Sequence, residues 1–344
     1  MNIQELENTA AAMMAPGKGI LAMDESTPTI GKRFNAVGVE NTEDNRRNYR
    51  ELLLGTEGLG DYISGAILFD ETIRQQTGAG APFPEMMQGQ GIVPGIKVDK
   101  HAKDLAGHPG EKVTEGLDGL RERLAEYRDL GARFAKWRAV VAIGDGIPTR
   151  ACVAANAHAL ARYASLCQEA TLVPIVEPEV LIAGDHSIEH CYRATLGTQR
   201  VVFDELYRQG VAFEGMVLKP SMVLSGNKAQ RQAGVEEVAE RTIRCLRSTV
   251  PAAVPGVAFL SGGQSDAQAT EHLNMMNIMA NSMALPWRLT FSYSRALQNQ
   301  PMGTWKGDGS NRDRARKVLL HRAKCNGAAS IGQYSGQMEH EKAA

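Results

Sequence analysis

The sequence predicts a single-domain α/β protein folded as a closed (β/α)₈ TIM barrel, and three observations lead there. Eight short apolar runs recur roughly every 30 to 45 residues. Longer stretches carrying helix start signals separate them. Ionised side chains stand at the C-terminal end of nearly every run, where a barrel of this kind places its chemistry.

The runs, in order, are KGILAMD (18–24), ISGAILFD (63–70), IVPGIKVD (92–99), ARFAKWRAV (132–140), LVPIVEPEV (172–180), FEGMVLKP (213–220), GVAFLSGG (256–263) and LTFSYSRAL (289–297). Each is too short for a buried helix and leans towards β-branched or aromatic residues. Among the intervening stretches, 42–56 opens with Thr42 as a cap, and Glu43 and Asp44 suit the positive end of a helix dipole. Pro148 opens 148–170, a position that tolerates its missing N–H. Ser265 and Gln268 open 265–280 at the spacing of a capping box. A doubly wound sheet is the competing fold, but Gly78-x-Gly80 and Gly89-x-Gly91 both lack the third glycine and the strand–helix context of a dinucleotide turn. No long linker splits the chain. The stretch from Asn326 is polar and glycine-containing, so the reading is a barrel over 1–325 and a mobile tail over 326–344.

Composition narrows the function. The 344 residues are 43% apolar and 22% charged, with Lys+Arg 38 against Asp+Glu 39 and a net charge of −1. No whole-surface field recruits nucleic acid or an anionic membrane, so an anionic substrate needs a local cluster of cations. The N-terminus lacks an export signal, and no apolar stretch approaches the roughly 18 to 20 residues of a membrane span. Cys152, Cys167, Cys191, Cys245 and Cys325 form no C-x-x-C pair, and there is no N-x-S/T sequon; reduced thiols in a cytoplasm are expected.

The strand ends carry Asp24, Asp70, Lys97 with Asp99, Lys136 with Arg138, Glu177 with Glu179, Lys219, Ser261 and Arg295. Residues two apart share a face of a strand. A structural ring of salt bridges is the bland alternative, but unpaired burial costs several kcal/mol per ion, which favours a catalytic mouth. Gly215, Val217 and Lys219 fall on one face, and Pro220 ends the strand. An amine among apolar neighbours, facing a second lysine such as Lys136, should lose its proton more readily. A neutral amine attacks a ketone to give a Schiff base. Glu177 and Glu179 offer an acid/base for dehydration, Asp24 a base for a substrate hydroxyl. Lys97, Arg138 and Arg295 offer charge for anionic groups. The turn LSGGQS (260–265) presents backbone N–H groups to a phosphate, and Arg295 would close that site.

The motifs GKGILAMDEST (17–27), GIKVDK (95–100), RFAKWR (133–138), VPIVEPE (173–179), LKP (218–220), FLSGGQS (259–265) and TFSYSRAL (290–297) together resemble class I fructose-bisphosphate aldolase, the metal-free Schiff-base type, over roughly the first 320 residues. The resemblance implies a (β/α)₈ barrel that assembles as a homotetramer and takes a sugar bisphosphate with no metal or other cofactor. It implies Lys219 as the Schiff-base lysine, Glu177 as the acid/base of the carbinolamine steps with Lys136 and Glu179 beside it, and Asp24 as the aspartate acting on the C4 hydroxyl. Ser261, Gly262, the backbone of Ser294 and Arg295 would hold the ketone-side phosphate. Ser26, Thr29 and Lys97 would serve the other phosphate. Where many members read Tyr-Gly-Arg, this chain reads Tyr293-Ser294-Arg295, and serine takes positive φ less freely than glycine. Thr27-Pro28-Thr29 stiffens the loop after the first strand. The chain ends MEHEKAA (338–344), without the terminal tyrosine of eukaryotic members, which points to a bacterial-type member.

Other signals compete. HSIEH (186–190) fits an inverted zinc-protease pattern with His186 and His190 four apart, against a plain reading as a polar first helical turn capped by Gly184-Asp185. A pyridoxal phosphate enzyme would also use a barrel lysine and a Gly-rich turn. A non-enzymatic scaffold would leave the convergent Lys, Glu and Asp set unused.

Overall fold

Ten strands follow in chain order in the computed structural model, which describes residues 1–340. They are β1 (Gly19–Ala22), β2 (Ile63–Leu68), β3 (Val93–Lys97), β4 (Ala102–Asp104), β5 (Lys112–Thr114), β6 (Phe134–Val141), β7 (Val173–Val180), β8 (Val217–Leu218), β9 (Gly256–Phe259) and β10 (Arg288–Tyr293). Eight of them close as β1-β10-β9-β8-β7-β6-β3-β2, each pair parallel, as the spacing of the runs predicts. β4 and β5 form a separate antiparallel hairpin.

Strand parity builds the interior. Ile20 and Ala22 from β1, Ile67 from β2, Phe134 from β6, Val173 and Ile175 from β7, Val217 from β8 and Ala258 from β9 pack into one lumen cluster. Leu6, Ala10 and Met13 of the N-terminal helix (Ile3–Met13) join the same cluster and seal the floor. At Gly95 a Cβ would sit inside the Phe134 ring, so glycine is what admits that ring. Two residues further up, the same parity sends Asp24, Lys136, Glu177 and Lys219 inward at the mouth, each less than a tenth exposed.

Several boundaries differ from the sequence reading. The run 213–220 supplies only two strand residues, because Phe213–Gly215 turn as a 3₁₀ helix. The Gln168 amide holds that turn, donating to the Ala212 carbonyl at 2.7 Å and accepting from its N–H at 2.9 Å. Gly215 is thus outside the strand, though a Cβ on it would still meet Leu6 of the lumen cluster that holds Val217, and Lys219 N–H donates to the Val176 carbonyl at 2.8 Å. The strand expected over 289–297 stops at Tyr293, and Arg295 begins the helix Arg295–Trp305. Thr27-Pro28 opens the helix Thr27–Ala36 rather than stiffening a loop, since Pro28 loses nothing in a first turn.

The helix starts at Thr42 and Ser265 form as read, the second with both halves of its capping box. Thr149 caps the helix Arg150–Glu169, its hydroxyl accepting from Cys152 N–H, and Pro148 lies one residue before that cap rather than at the first helical position. The boundary drawn at Asn326 falls inside the helix Arg312–Ala329, with Asn326 fully buried. Beyond it, Tyr334 is buried and its hydroxyl donates to Glu339 at 2.9 Å. Glu339 also pairs with Arg322, whose side chain is wholly buried. Residues 341–344, the end of the expected tail, lie outside the described part. All five cysteines are buried and none is in a disulfide. No described helix is long and apolar enough to cross a membrane.

Candidate active site

Four ionisable side chains meet at the centre of the mouth. Lys136 Nζ lies 2.8 Å from Asp24 Oδ2 and 3.2 Å from Glu177 Oε2, the latter an ion pair without hydrogen-bond alignment. Lys219 Nζ lies 3.4 Å from Glu177 Oε1. Two ammonium groups and two carboxylates therefore share a nearly dry site, and each sets the protonation of the others. For Lys219, burial is the largest influence and lowers the pKa. Repulsion from Lys136 adds to it, and attraction by Glu177 and Asp24 does not overcome the sum. Lys136 goes the other way: burial opposes its charge, but Asp24, Glu177 and Asp99 raise its pKa above the usual lysine range. Asp24 would be raised by burial, yet Lys136 and Lys219 hold it down to about 2. One lysine is thus held charged, and its repulsion helps to lower the pKa of the other.

A second tier of charge surrounds this centre. Arg138 Cα registers opposite Glu177 across the β6–β7 ladder, and its guanidinium pairs with Glu179. Its side chain stays 43% exposed, so it faces the open mouth. Lys97 Nζ sits 2.8 Å from Asp99 Oδ1, and Asp99 Oδ2 accepts from Arg138 N–H at 3.3 Å. The Thr114 hydroxyl of β5 donates to the Arg138 carbonyl at 2.8 Å, tying the hairpin to this rim.

The proposed phosphate ligands fall into two groups. After β1, Ser26 stands just before the helix Thr27–Ala36, its hydroxyl 3.1 Å from that of exposed Thr29. After β9, Gly262 and Gly263 adopt φ of 58° and 89°, a left-handed turn that suits residues without Cβ. A Cβ on Gly263 would lie 3.5 Å from the Arg295 guanidinium, which puts Arg295 against this turn. Arg295 has its pKa lowered, first by burial and then by Arg33 and Arg138, against attraction from Glu179. Several cations thus converge there without enough acid to neutralise them.

Two residues of this rim escaped the sequence reading. Glu25 points away from the lumen, as its position next to Asp24 requires, and accepts from Arg50 at 2.7 Å, the Ser294 hydroxyl at 2.7 Å and the Gln298 amide at 2.8 Å. It also pairs with Arg33. The serine replacing glycine at 294 therefore needs no positive φ: its backbone has φ of −105° and its hydroxyl is bound to Glu25. Arg33 lies inside a helix with no strand-end position to mark it. Asp70, expected at a strand end, begins a short helix and bonds Arg74 and Tyr127 instead.

The zinc-like pattern dissolves. Ser187 caps the helix Ile188–Arg208, so His186 precedes the helix, and the two histidines are not one helical turn apart on it. Among the described residues, one group has ligand atoms close enough for a metal ion, His321, Cys325 and Glu339, and its carboxylate is already bound by Arg322.

Comparison with known proteins agrees with this geometry. The model of the family "Fructose-bisphosphate aldolase class-I" matches residues 5–344. A probable fructose-bisphosphate aldolase class 1 of Xanthomonas campestris pv. campestris is 61% identical over 98% of this chain and all of its own length. A fructose-bisphosphate aldolase of Dictyostelium discoideum is 49% identical, covering 97% of this chain and 93% of its own. A Plasmodium falciparum fructose-bisphosphate aldolase, solved in complex with TRAP and a small-molecule inhibitor, superposes with a TM-score of 0.95 at 49% identity, covering 97% and 96% of the two chains. A buried mouth whose lysine is pushed towards its neutral form, in a barrel matched to this family from residue 5 to the C-terminus, has one reading: the chain belongs to the class I fructose-bisphosphate aldolases.

Proposed function

We propose that the chain cleaves fructose 1,6-bisphosphate reversibly into dihydroxyacetone phosphate and glyceraldehyde 3-phosphate, with Lys219 as the nucleophile. The lowered pKa of the Lys219 amine, 3.4 Å from a carboxylate, carries the proposal. The neutral amine adds to the C2 carbonyl, and Glu177 delivers the proton that lets the C2 hydroxyl leave as water. The resulting iminium is an electron sink. Asp24 accepts the C4 hydroxyl proton, the C3–C4 bond breaks, and its electron pair flows into the iminium to leave an enamine. A carboxylate held near 2 is a weak base, so the pull of the iminium, rather than the carboxylate's own basicity, drives this step. Protonation at C3 and addition of water then release the ketone and restore Lys219.

The rim supplies binding. Ser261 and Gly262, the Ser294 backbone and Arg295, with Arg33 beside them, would hold the ketone-side phosphate, and Ser26, Thr29 and Lys97 the other. Arg138 and Glu179 would orient the sugar between them. The same reading carries no metal and no other cofactor, which kinship with the class I family supports, together with a cytoplasmic setting and a homotetramer. Light scattering tests the assembly: a mass near that of one chain would overturn the tetramer.

Coupled detection of glyceraldehyde 3-phosphate tests the activity. Cleavage should persist in excess chelator, and Lys219→Ala should abolish it. Chelator-sensitive cleavage, or an active Lys219→Ala variant, would overturn the mechanism. A resting aldimine band in the visible spectrum would instead favour pyridoxal phosphate on the lysine.

A further inference from the structure

His272 is buried on the second turn of the helix Asp266–Met283, directly behind the turn 260–265. Its Nδ1 lies 2.5 Å from Gln264 Oε1, and the Gln264 amide nitrogen donates to the Ser261 carbonyl at 2.8 Å. The same carbonyl accepts from Gln264 N–H at 3.1 Å. Burial pushes the pKa of the ring down to about 4, so it is neutral at physiological pH. With the Gln264 oxygen as acceptor, the ring proton must sit on Nδ1. A directed chain results, from the His272 ring through the Gln264 amide to the Ser261 carbonyl.

That carbonyl matters because it shares a peptide plane with the Gly262 N–H. In a trans peptide the two bonds point in opposite directions, so fixing one aims the other. Gly262 has φ of 58° and Gly263 of 89°, and neither carries a side chain to restrain the turn. The backbone bond from Gln264 N–H, at 3.1 Å, is one anchor and the shorter side-chain bond, at 2.8 Å, the second; with the second lost, a glycine-rich turn holds the plane by one bond and can more easily withdraw its N–H. The capping box of Ser265 with Gln268 fixes the exit of the turn, but it does not touch the 261–262 peptide.

We infer that His272 is a positioning residue which, through Gln264, aims the Gly262 N–H at the substrate's ketone-side phosphate. The inference rests on the reading of 260–265 as a phosphate site. Nothing in the relay reaches Lys219, so it acts on phosphate recognition and not on imine chemistry itself.

The two are separable by trapping with borohydride, using dihydroxyacetone phosphate and dihydroxyacetone as paired ketones. In His272→Leu, half-saturation for the phosphate ester should rise about 10-fold, the scale of one lost buried hydrogen bond. Trapping of the phosphate-free ketone should stay within about twofold. His272→Asn, whose amide nitrogen can occupy the place of Nδ1, should restore most of the loss. Gln264→Leu should reproduce the defect while leaving the ring in place, which covers the case in which His272→Leu does not fold. Equal losses for both ketones, no loss for either, or failure of asparagine to rescue would overturn the relay alone. A wild-type protein that traps the two ketones equally well would overturn the phosphate site, and the relay with it.

Discussion

Replacing Lys136 by methionine should change the charge state of the whole site. Lys136 lies 2.8 Å from Asp24 and 3.2 Å from Glu177. At an effective dielectric of about 20, those separations correspond to about 6 and about 5 kcal/mol of attraction. Losing the first is worth roughly four pK units, enough to carry the Asp24 carboxyl from about 2 into the neutral range. Lys219 would meanwhile lose a repelling neighbour and hold its proton more tightly, because Lys136 is one of the two influences that lower its pKa. Asp24 would then begin to hold a proton as the pH falls towards about 6, and Lys219 would be protonated to a greater extent than in the unaltered site. Infrared titration of protein labelled with ¹³C-carboxyl aspartate reads the first effect, and the rate of imine formation with dihydroxyacetone phosphate reads the second. The expected results are an aspartic acid band that titrates near neutrality and imine formation slowed by at least about 100-fold. An Asp24 that stays ionised down to pH 4 in the variant, or an undiminished imine rate, would refute the coupling. Circular dichroism must first show that the barrel survives two half-paired carboxylates, a loss of about 3 to 5 kcal/mol.

Other perturbations have defined outcomes. Because the folded pKa of Asp24 is depressed from 3.8 to about 2, it contributes about 2.5 kcal/mol of stability above pH 4, lost as the pH falls through 2. The urea midpoint should fall in that window, and less steeply in Asp24→Asn. Glu339→Ala strips a wholly buried guanidinium of its carboxylate and should cost about 3 kcal/mol by denaturant unfolding; an unchanged midpoint would mean that water replaces the pair. Gly263→Ala places a Cβ at φ of 89° and should strain the turn by about 1 to 2 kcal/mol. That should raise the KM for the bisphosphate while the circular dichroism stays native.

What the sequence revealed and what it hid divide along one physical line. Side chains projecting into the lumen follow a period of two, so Asp24, Lys136, Glu177 and Lys219 could be placed together from spacing alone. Glu25 escaped because it is out of phase with Asp24 and serves the rim from behind. Arg33 escaped because it reaches the rim from a helix, and His272 because it lies buried behind the turn 260–265 on another, where neither position nor period marks them. The strand within 213–220 is shorter than read because a side chain from elsewhere in the chain, Gln168, takes up the backbone of the Phe213–Gly215 turn. The boundary at Asn326 failed for a similar reason. A polar, glycine-containing composition suggested a tail, but Asn326 is buried in a helix and accepts from the Thr270 hydroxyl at 2.7 Å.

The central claim is that Lys219 is the nucleophile because its surroundings lower its pKa. Incubating the protein with dihydroxyacetone phosphate, reducing with borohydride and mapping the modified peptide by mass addresses that directly. One adduct per chain on Lys219, formed equally well with a chelator present, is the predicted result. An adduct on Lys136 or another lysine, or none at all, would contradict it.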